Sequence, residues 1–224
     1  AAKSGQQTWD TWQKNQDFKY PPKENYINVK HVFQSLTDFN EYGPKDGDTD
    51  AIYTTAKGKT GSLLEVTSLP KSSIEGFEPE TDILSTIVPE DTKDFEIEYR
   101  YHRKDYDVNY DTVDGNAIPS RRLYYGQKIP TVETPTKNGS VFLGWKPSAN
   151  LVGVLNSVEK NFNKDEVIKD AKGDPIFDLN AKLKMPAQDI TFTAVWKDAP
   201  KADYLIQFWT EKTDYDDKYD TLPL

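Results

Sequence analysis

Three stretches of the chain open alike: "YINVKHVF" from Tyr26, "YDVNYDTV" from Tyr106 and "YLIQFWTE" from Tyr204. Each alternates in-facing and out-facing residues with period two, the pattern of a half-buried strand. The second and third follow similar strands, "FEIEYRYHRKD" (Phe95 to Asp105) and "ITFTAVWKDAPKAD" (Ile190 to Asp203). The openings recur at roughly 80- and 100-residue intervals. Such a recurrence predicts a tandem array with one unit per interval. The joints "HRKD" and "KDAPKAD" are short, which limits bending between units.

Composition agrees with small cores. Of 224 residues, 36% are hydrophobic but 12% are aromatic, with 13 Tyr and 5 Trp. Large aromatic side chains let a unit of about 100 residues bury enough apolar area to offset chain entropy. The formal charge is -9. That disfavours nucleic acid and anionic membranes, which bind through clustered Lys and Arg. There is no Cys, so disulfides and thiolate chemistry are excluded. No apolar run reaches the length of a membrane span. The first ten residues, "AAKSGQQTWD", hold no apolar signal segment, and "YLIQFWTEKTDYDDKYDTLPL" starts like a new strand without its partner. The chain is therefore expected to be a mature protein or a piece of a longer one.

Four segments follow. Residues 1–25 form an N-terminal arm or the tail of a preceding module. Residues 26–103 form a first module in which Pro70, Pro79 and Pro89 leave no room for a long helix. Residues 104–198 form a second. Asp114-Gly115 signals a type I′ hairpin turn there. Within "EKNFNKDEVIKDAK" (159–172), Phe162, Val167 and Ile168 fall near helical spacing and predict one short helix. Residues 199–224 are a linker and the first strand of a further module.

The second module's motifs carry a resemblance. Tyr125-Gly126, Pro135, "FLGW" (Phe142 to Trp145) and "AVW" (Ala194 to Trp196) occur in the order of the internalin B-type (Listeria-Bacteroides) repeat. One departure is clear: about 40 residues separate "GW" from the last strand, where that repeat has a short link. The first module is similar to the MucBP module, on "YINVKHV", "GKTGS", "IEGFEP" and "FEIEYRYHRK". The third opening resembles the first module more than the second. Together the resemblances imply a mainly β (α+β) chain of small β-grasp-like modules in an elongated arrangement. They imply an extracellular, cell-wall anchored Gram-positive surface protein with no catalytic residues, partnered by a host glycoprotein or glycan and by neighbouring modules. A non-binding stalk that projects a distal domain is the alternative, since a module name is not a ligand.

Candidate sites are few. In the repeat pattern Tyr125, Gly126, Phe142, Gly144, Trp145 and Trp196 read as structural core. Trp9, Trp12 and Trp209 lie outside it and are candidate sugar-stacking residues, with inter-module packing as the other reading. Asp46, Asp48 and Asp50 alternate in "KDGDTDAIY", a spacing that suits Ca²⁺. Ala51 and Lys57 stand where an EF-hand needs Gly and Glu, so a solvated acidic loop is the competing reading and no cofactor is expected otherwise. His31 and His102 open and close the first module and are either a two-His metal pair or ordinary strand residues. "GKTGS" (58–62) lacks the phosphate-loop pattern and reads as a hairpin turn. Lys30, with Asn109 at the matching place of the second module, is a candidate for an intramolecular isopeptide bond.

Overall fold

Period-two alternation dictates strands, and strands are what the computed structural model contains. It describes residues 22–201, 206–207, 209–211 and 219–221. In the first half, β1 (Glu24–Gln34), β2 (Tyr42–Gly43), β3 (Ile52–Lys59), β4 (Leu63–Thr67), β5 (Phe77–Pro79), β6 (Ile83–Ile87) and β7 (Glu96–Arg103) follow one another. The second half holds β8 (Asp105–Asp111), β9 (Arg121–Tyr124), β10 (Ser140–Pro147), β11 (Leu151–Leu155), β12 (Val158–Phe162) and β13 (Ile190–Asp198). A last pair, β14 (Trp209–Glu211) and β15 (Tyr219–Thr221), is antiparallel. The expected opening strand from Tyr204 lies mostly outside the described residues. The only helical turn among the described residues is a 3-10 turn at Lys71–Ser73.

The two halves share one plan. In each, the opening strand pairs parallel with the closing strand, β1 with β7 and β8 with β13. An antiparallel strand flanks the opening one, β3 on β1 and β9 on β8. Another flanks the closing one, β5 on β7 and β10 on β13. Single backbone bonds repeat as well. Thr60 N–H donates to Lys23 C=O at 2.9 Å, as Tyr125 N–H does to Lys104 C=O at 2.8 Å. Gly61 donates to Val88 at 2.8 Å, and Gly126 to Met185 at 2.9 Å. Lys104 donates to Gly76 at 3.0 Å, and Ala199 to Gly139 at 2.8 Å. Each half encloses its own core, one around Ile27, Val29, Phe33, Tyr99 and Tyr101, the other around Trp145, Phe192, Leu183 and Met185.

Three local expectations are corrected. The helix over 159–172 does not form. β11 and β12 make a hairpin instead, turned by Asn156 and Ser157 at φ 51° and 65°, and residues 163–172 continue as turns. The two halves of "LVGVLNSVEKNF" alternate on either side of an Asn-centred turn, and that pairing outcompetes a weak helical spacing. Val113 and Asp114, at φ 48° and 65°, are the central turn residues rather than Asp114 and Gly115. Gly115 is reserved for close approach, since a Cβ there would stand 2.9 Å from the Trp196 ring. "GKTGS" is a turn but not a hairpin, because β3 pairs with β1 while β4 pairs with β6.

The 40 residues after Trp145 are not an appendage. Leu151, Phe162, Ile168, Leu179, Ala181, Leu183 and Met185 from this stretch are all buried in the second core. The stretch also tethers the GW strand: Ile168 N–H donates to Trp145 C=O at 3.0 Å, and Trp145 Nε1–H donates to Phe177 C=O at 2.9 Å. Gly144 sits in a bulge at φ 125°. A Cβ there would meet Val167 Cγ1 at 2.7 Å, so the "GW" glycine is where the added stretch presses on the sheet.

Candidate functional site

The most organised polar site among the described residues lies where the halves meet. β7 ends at Arg103 and β8 begins at Asp105, so Lys104 alone links them. Alternation points Arg103 inward, and its side chain is fully buried. A buried guanidinium needs its charge matched and its donors filled. Asp46 supplies both carboxylate oxygens, at 2.7 Å from Nη1 and 2.7 Å from Nη2. Nη1–H also donates to Tyr125 C=O at 2.7 Å and Nη2–H to Gln34 C=O at 3.0 Å. The guanidinium carbon stands 4.7 Å over the Phe77 ring. Only Nε–H lacks a partner. One side chain thus binds a loop of the first half, its opening strand and the YG step of the second half.

Tyr125 completes the joint from the other side. Its ring leaves its own half and packs against the first core, edge-on to Phe77 at 5.6 Å. This corrects its reading as core of its own repeat. The seat is Gly76, at φ 82°, where any Cβ would overlap the Tyr125 ring. Tyr125 and Gly76 are thus each other's reason, and the motifs "IEGFEP" and "YYGQ" meet across the joint. Next to it, Tyr124 stacks obliquely on Phe39 at 4.5 Å, a second aromatic contact between halves. Burial raises the Tyr125 hydroxyl above its ordinary pKa, and the nearby Glu75 carboxylate adds to the shift.

Beside the joint opens a cleft of ≈ 560 Å³. Leu36, Asp46 and Glu75 line it from the first half, and Tyr125, Val152 and Met185 from the second. Glu159 and Lys184, 3.8 Å apart, stand on its far wall. No tryptophan among the described residues lines it.

The other candidates fall as follows. Asp46, Asp48 and Asp50 are not brought together as a cation site. Asp46 is committed to Arg103, Asp50 accepts from Thr49 Oγ1 at 3.1 Å, and no three potential metal ligands converge among the described residues. His31 is buried on the core face, its Nδ1 2.9 Å from Tyr101 Oη and its Nε2 2.7 Å from Thr54 Oγ1. His102 faces away and meets Tyr42 Oη at 2.9 Å, so the two do not form a pair. Lys30 is in register with Tyr53 and Glu98, and Asn109 with Thr191, with no Asn or Asp at Lys30's register positions to take an isopeptide bond. Trp145 is fully buried. Phe142 packs beside it, 5.2 Å away edge-on, and Trp196 lies 5.2 Å from Phe142. Trp196 Nε1–H donates to Thr112 C=O at 2.8 Å. Gly126 turns the chain at φ 76° against Arg103 and Asp46. Trp9 and Trp12 lie outside the described residues, and Trp209 is placed in β14 by its backbone alone.

Arg103 is what sequence reasoning missed. It was one of three charged residues in "HRKD", and its strand parity was the available signal: Tyr99, Tyr101 and Arg103 share a face.

Residues 106–171 match the model of the Listeria-Bacteroides repeat domain, a repeat family of surface proteins. The match covers less than a third of the 224 residues and stops before β13. It takes in the YG step, the GW strand and the β11–β12 hairpin. No curated protein and no solved structure matches the chain. No helix among the described residues is long and apolar enough to cross a membrane.

Proposed function

We propose that the chain is a stalk-forming repeat region of a cell-wall anchored Gram-positive surface protein, with residues 26–103 and 104–198 as successive modules. The single observation that carries this is the joint. Two separate cores are connected through one residue, and a buried Arg103 ties three segments across the seam. A chain built to let units swing freely would have no use for a buried arginine at the hinge, because desolvating its charge costs free energy that only fixed geometry recovers. The repeated plan of strands and backbone bonds supports serial units, and the repeat-family match supports the cell surface. The β-grasp label and the MucBP likeness of the first module belong to this proposal.

Adhesion to a host or microbial glycoprotein is the second reading, favoured by the cleft beside Tyr125 and multiplied by repetition if single sites are weak. Two measurements separate the readings. Small-angle scattering of the chain should fit one fixed arrangement of its halves, and Arg103→Ala should broaden the distribution. A wild-type profile that already needs a broad ensemble overturns the stalk. Binding of the intact chain on a mucin and glycan array, lost on Val152→Glu in the cleft, would transfer the case to adhesion.

A further inference from the structure

Tension along the chain has one path through each half. The chain enters the first half at β1 and leaves it at β7. These two strands lie side by side and parallel, Asn28–Phe33 beside Glu96–Tyr101. The second half repeats this with β8 and β13, Val108–Asp111 beside Ile190–Thr193. Parallel pairing puts the entry of one strand and the exit of the other at opposite ends of the ladder. A pull on the chain therefore slides the strands past each other and loads the evenly spaced ladder bonds together. An antiparallel pair would put both ends on one side, and its bonds would open one at a time.

The surroundings strengthen both pairs against sliding. Each pair is central in its sheet: β3 flanks β1 and β5 flanks β7, while β9 flanks β8 and β10 flanks β13. No member can leave without breaking a second ladder. Each pair also carries a stacked aromatic couple in register. Phe33 lies on Tyr101 at 4.8 Å and Tyr110 on Phe192 at 5.8 Å, with ring planes 16° and 15° apart. A side chain adds one cross-tie to each pair. Arg103 N–H donates to Gln34 Oε1 at 2.9 Å, and Asp107 N–H donates to Asp189 Oδ1 at 2.8 Å. Lys104 alone joins β7 to β8, so load passes from one pair to the next without slack. The stretch after Trp145 leaves from β10 and returns to β13, off this path. Local contacts do not account for such pairing, because it joins segments far apart in the chain and so slows folding.

We propose that the two parallel pairs are load-bearing clamps, and that withstanding tension along the chain is a function of both halves. The clamp of the second half is the shorter and yields first. The first half holds longer through its longer overlap and through the contact of His31 Nδ1 with Tyr101 Oη, 2.9 Å across β1 and β7. The strength follows from the topology. Its use rests on the stalk reading, since a projecting stalk is pulled wherever its tip is held.

The absence of cysteine lets handles be attached at chosen points of the intact chain. Lys23→Cys with Asp198→Cys is pulled in optical tweezers along both clamps. Lys23→Cys with Asp94→Cys pulls the first half across its clamp, at the end where β1 and β7 both begin. All three positions are exposed, so the circular dichroism spectrum should match that of the unmodified chain. At one constant force, the first half should unfold roughly tenfold or more slowly along its clamp than across it, because sliding must break several ladder bonds in one step. In the lengthwise pull the longer extension, from residues 105–198, should precede the shorter one, from residues 24–103. Equal rates in the two directions overturn the proposal, as does the first half yielding before the second. Scattering that fits one fixed arrangement, alongside equal rates, would leave the stalk standing and remove its clamps. A broad ensemble with slow lengthwise unfolding would do the reverse.

Discussion

His31 shows how much a single residue's environment fixes. His31 Nδ1 stands 2.9 Å from Tyr101 Oη, which also accepts from Leu69 N–H at 2.8 Å, and Nε2 stands 2.7 Å from Thr54 Oγ1. Burial lowers the imidazole pKa below its ordinary 6.5. Burial also pushes the Tyr101 hydroxyl up to about 12, so no phenolate balances a charged ring. Tyr101 and Thr54 bond the ring and Tyr99 lies beside it, while Glu65 and Lys57 line the cavity onto which His31 opens. The sign follows from linkage. The unfolded chain binds a proton at 6.5 while the folded one resists it, so stability is full above 6.5 and falls as pH drops through that value towards the folded pKa. The urea midpoint should therefore decline below pH 7, and His31→Gln should be weaker at pH 7.5 but flatter between pH 7 and 5. Equal slopes for both would remove His31 from the account. Gly76→Ala tests a second residue. It must force a positive φ and expel the Tyr125 ring, and should cost about 2–4 kcal/mol in chemical denaturation. A loss under 1 kcal/mol would mean the ring has another seat.

At the scale of elements, the stretch after Trp145 carries the largest consequence. It supplies about half of the second core rather than decorating it. Ile168, held by backbone bonds to Trp145 and from Ile176, should lose about 2–4 kcal/mol on truncation to Ala. Val158→Ala on the exposed side of the β11–β12 hairpin should change stability by under 0.5 kcal/mol. Comparable losses at both sites in urea melts would show the stretch to be loosely docked. Period two made the opening strands legible, because β1 alternates exposed and buried residues from Glu24 to Val29 and β8 turns Val108 into the core. The closing strands were legible for the same reason. β11 and β12 were not, since five-residue strands around Asn156-Ser157 are too short to outweigh the near-helical spacing of Phe162, Val167 and Ile168. The parallel pairing of β1 with β7 left no local signal, because it joins residues almost 70 apart in the chain. The joint failed to show for a related reason. Asp46 read as part of an acidic run and Arg103 as part of a charged linker, and only the fold brings them together across 57 residues.

At the scale of the whole molecule, the joint decides whether two cores behave as one. Each half buries its own set of side chains, and Tyr125 is the residue that crosses over. A flexible joint would let each half unfold by itself; a fixed one couples them. Arg103 holds its place through Asp46, whose carboxylate is 45% exposed, so water screens part of the pair. Removing one member of a fully buried pair costs roughly 3–5 kcal/mol, and this exposure brings the expected loss for Arg103→Ala to about 2–3 kcal/mol. Arg103→Lys should recover little of it. An ammonium has no planar fork to bond Asp46 twice while reaching Tyr125 and Gln34 carbonyls. Calorimetry of the native chain should show residues 22–201 melting in one cooperative transition. Arg103→Ala should split it in two, with the second half's transition still sensitive to Ile168→Ala and the first half's indifferent to it. Trypsin should report the same event by cutting after Lys104 sooner in Tyr125→Ala than in the native chain, since the Lys104 amide would lose the order that its bonds to Gly76 and Tyr125 impose. Two transitions in the native chain, or an unsplit and unshifted one in Arg103→Ala, would mean that the buried arginine fills space without fixing how the halves are joined.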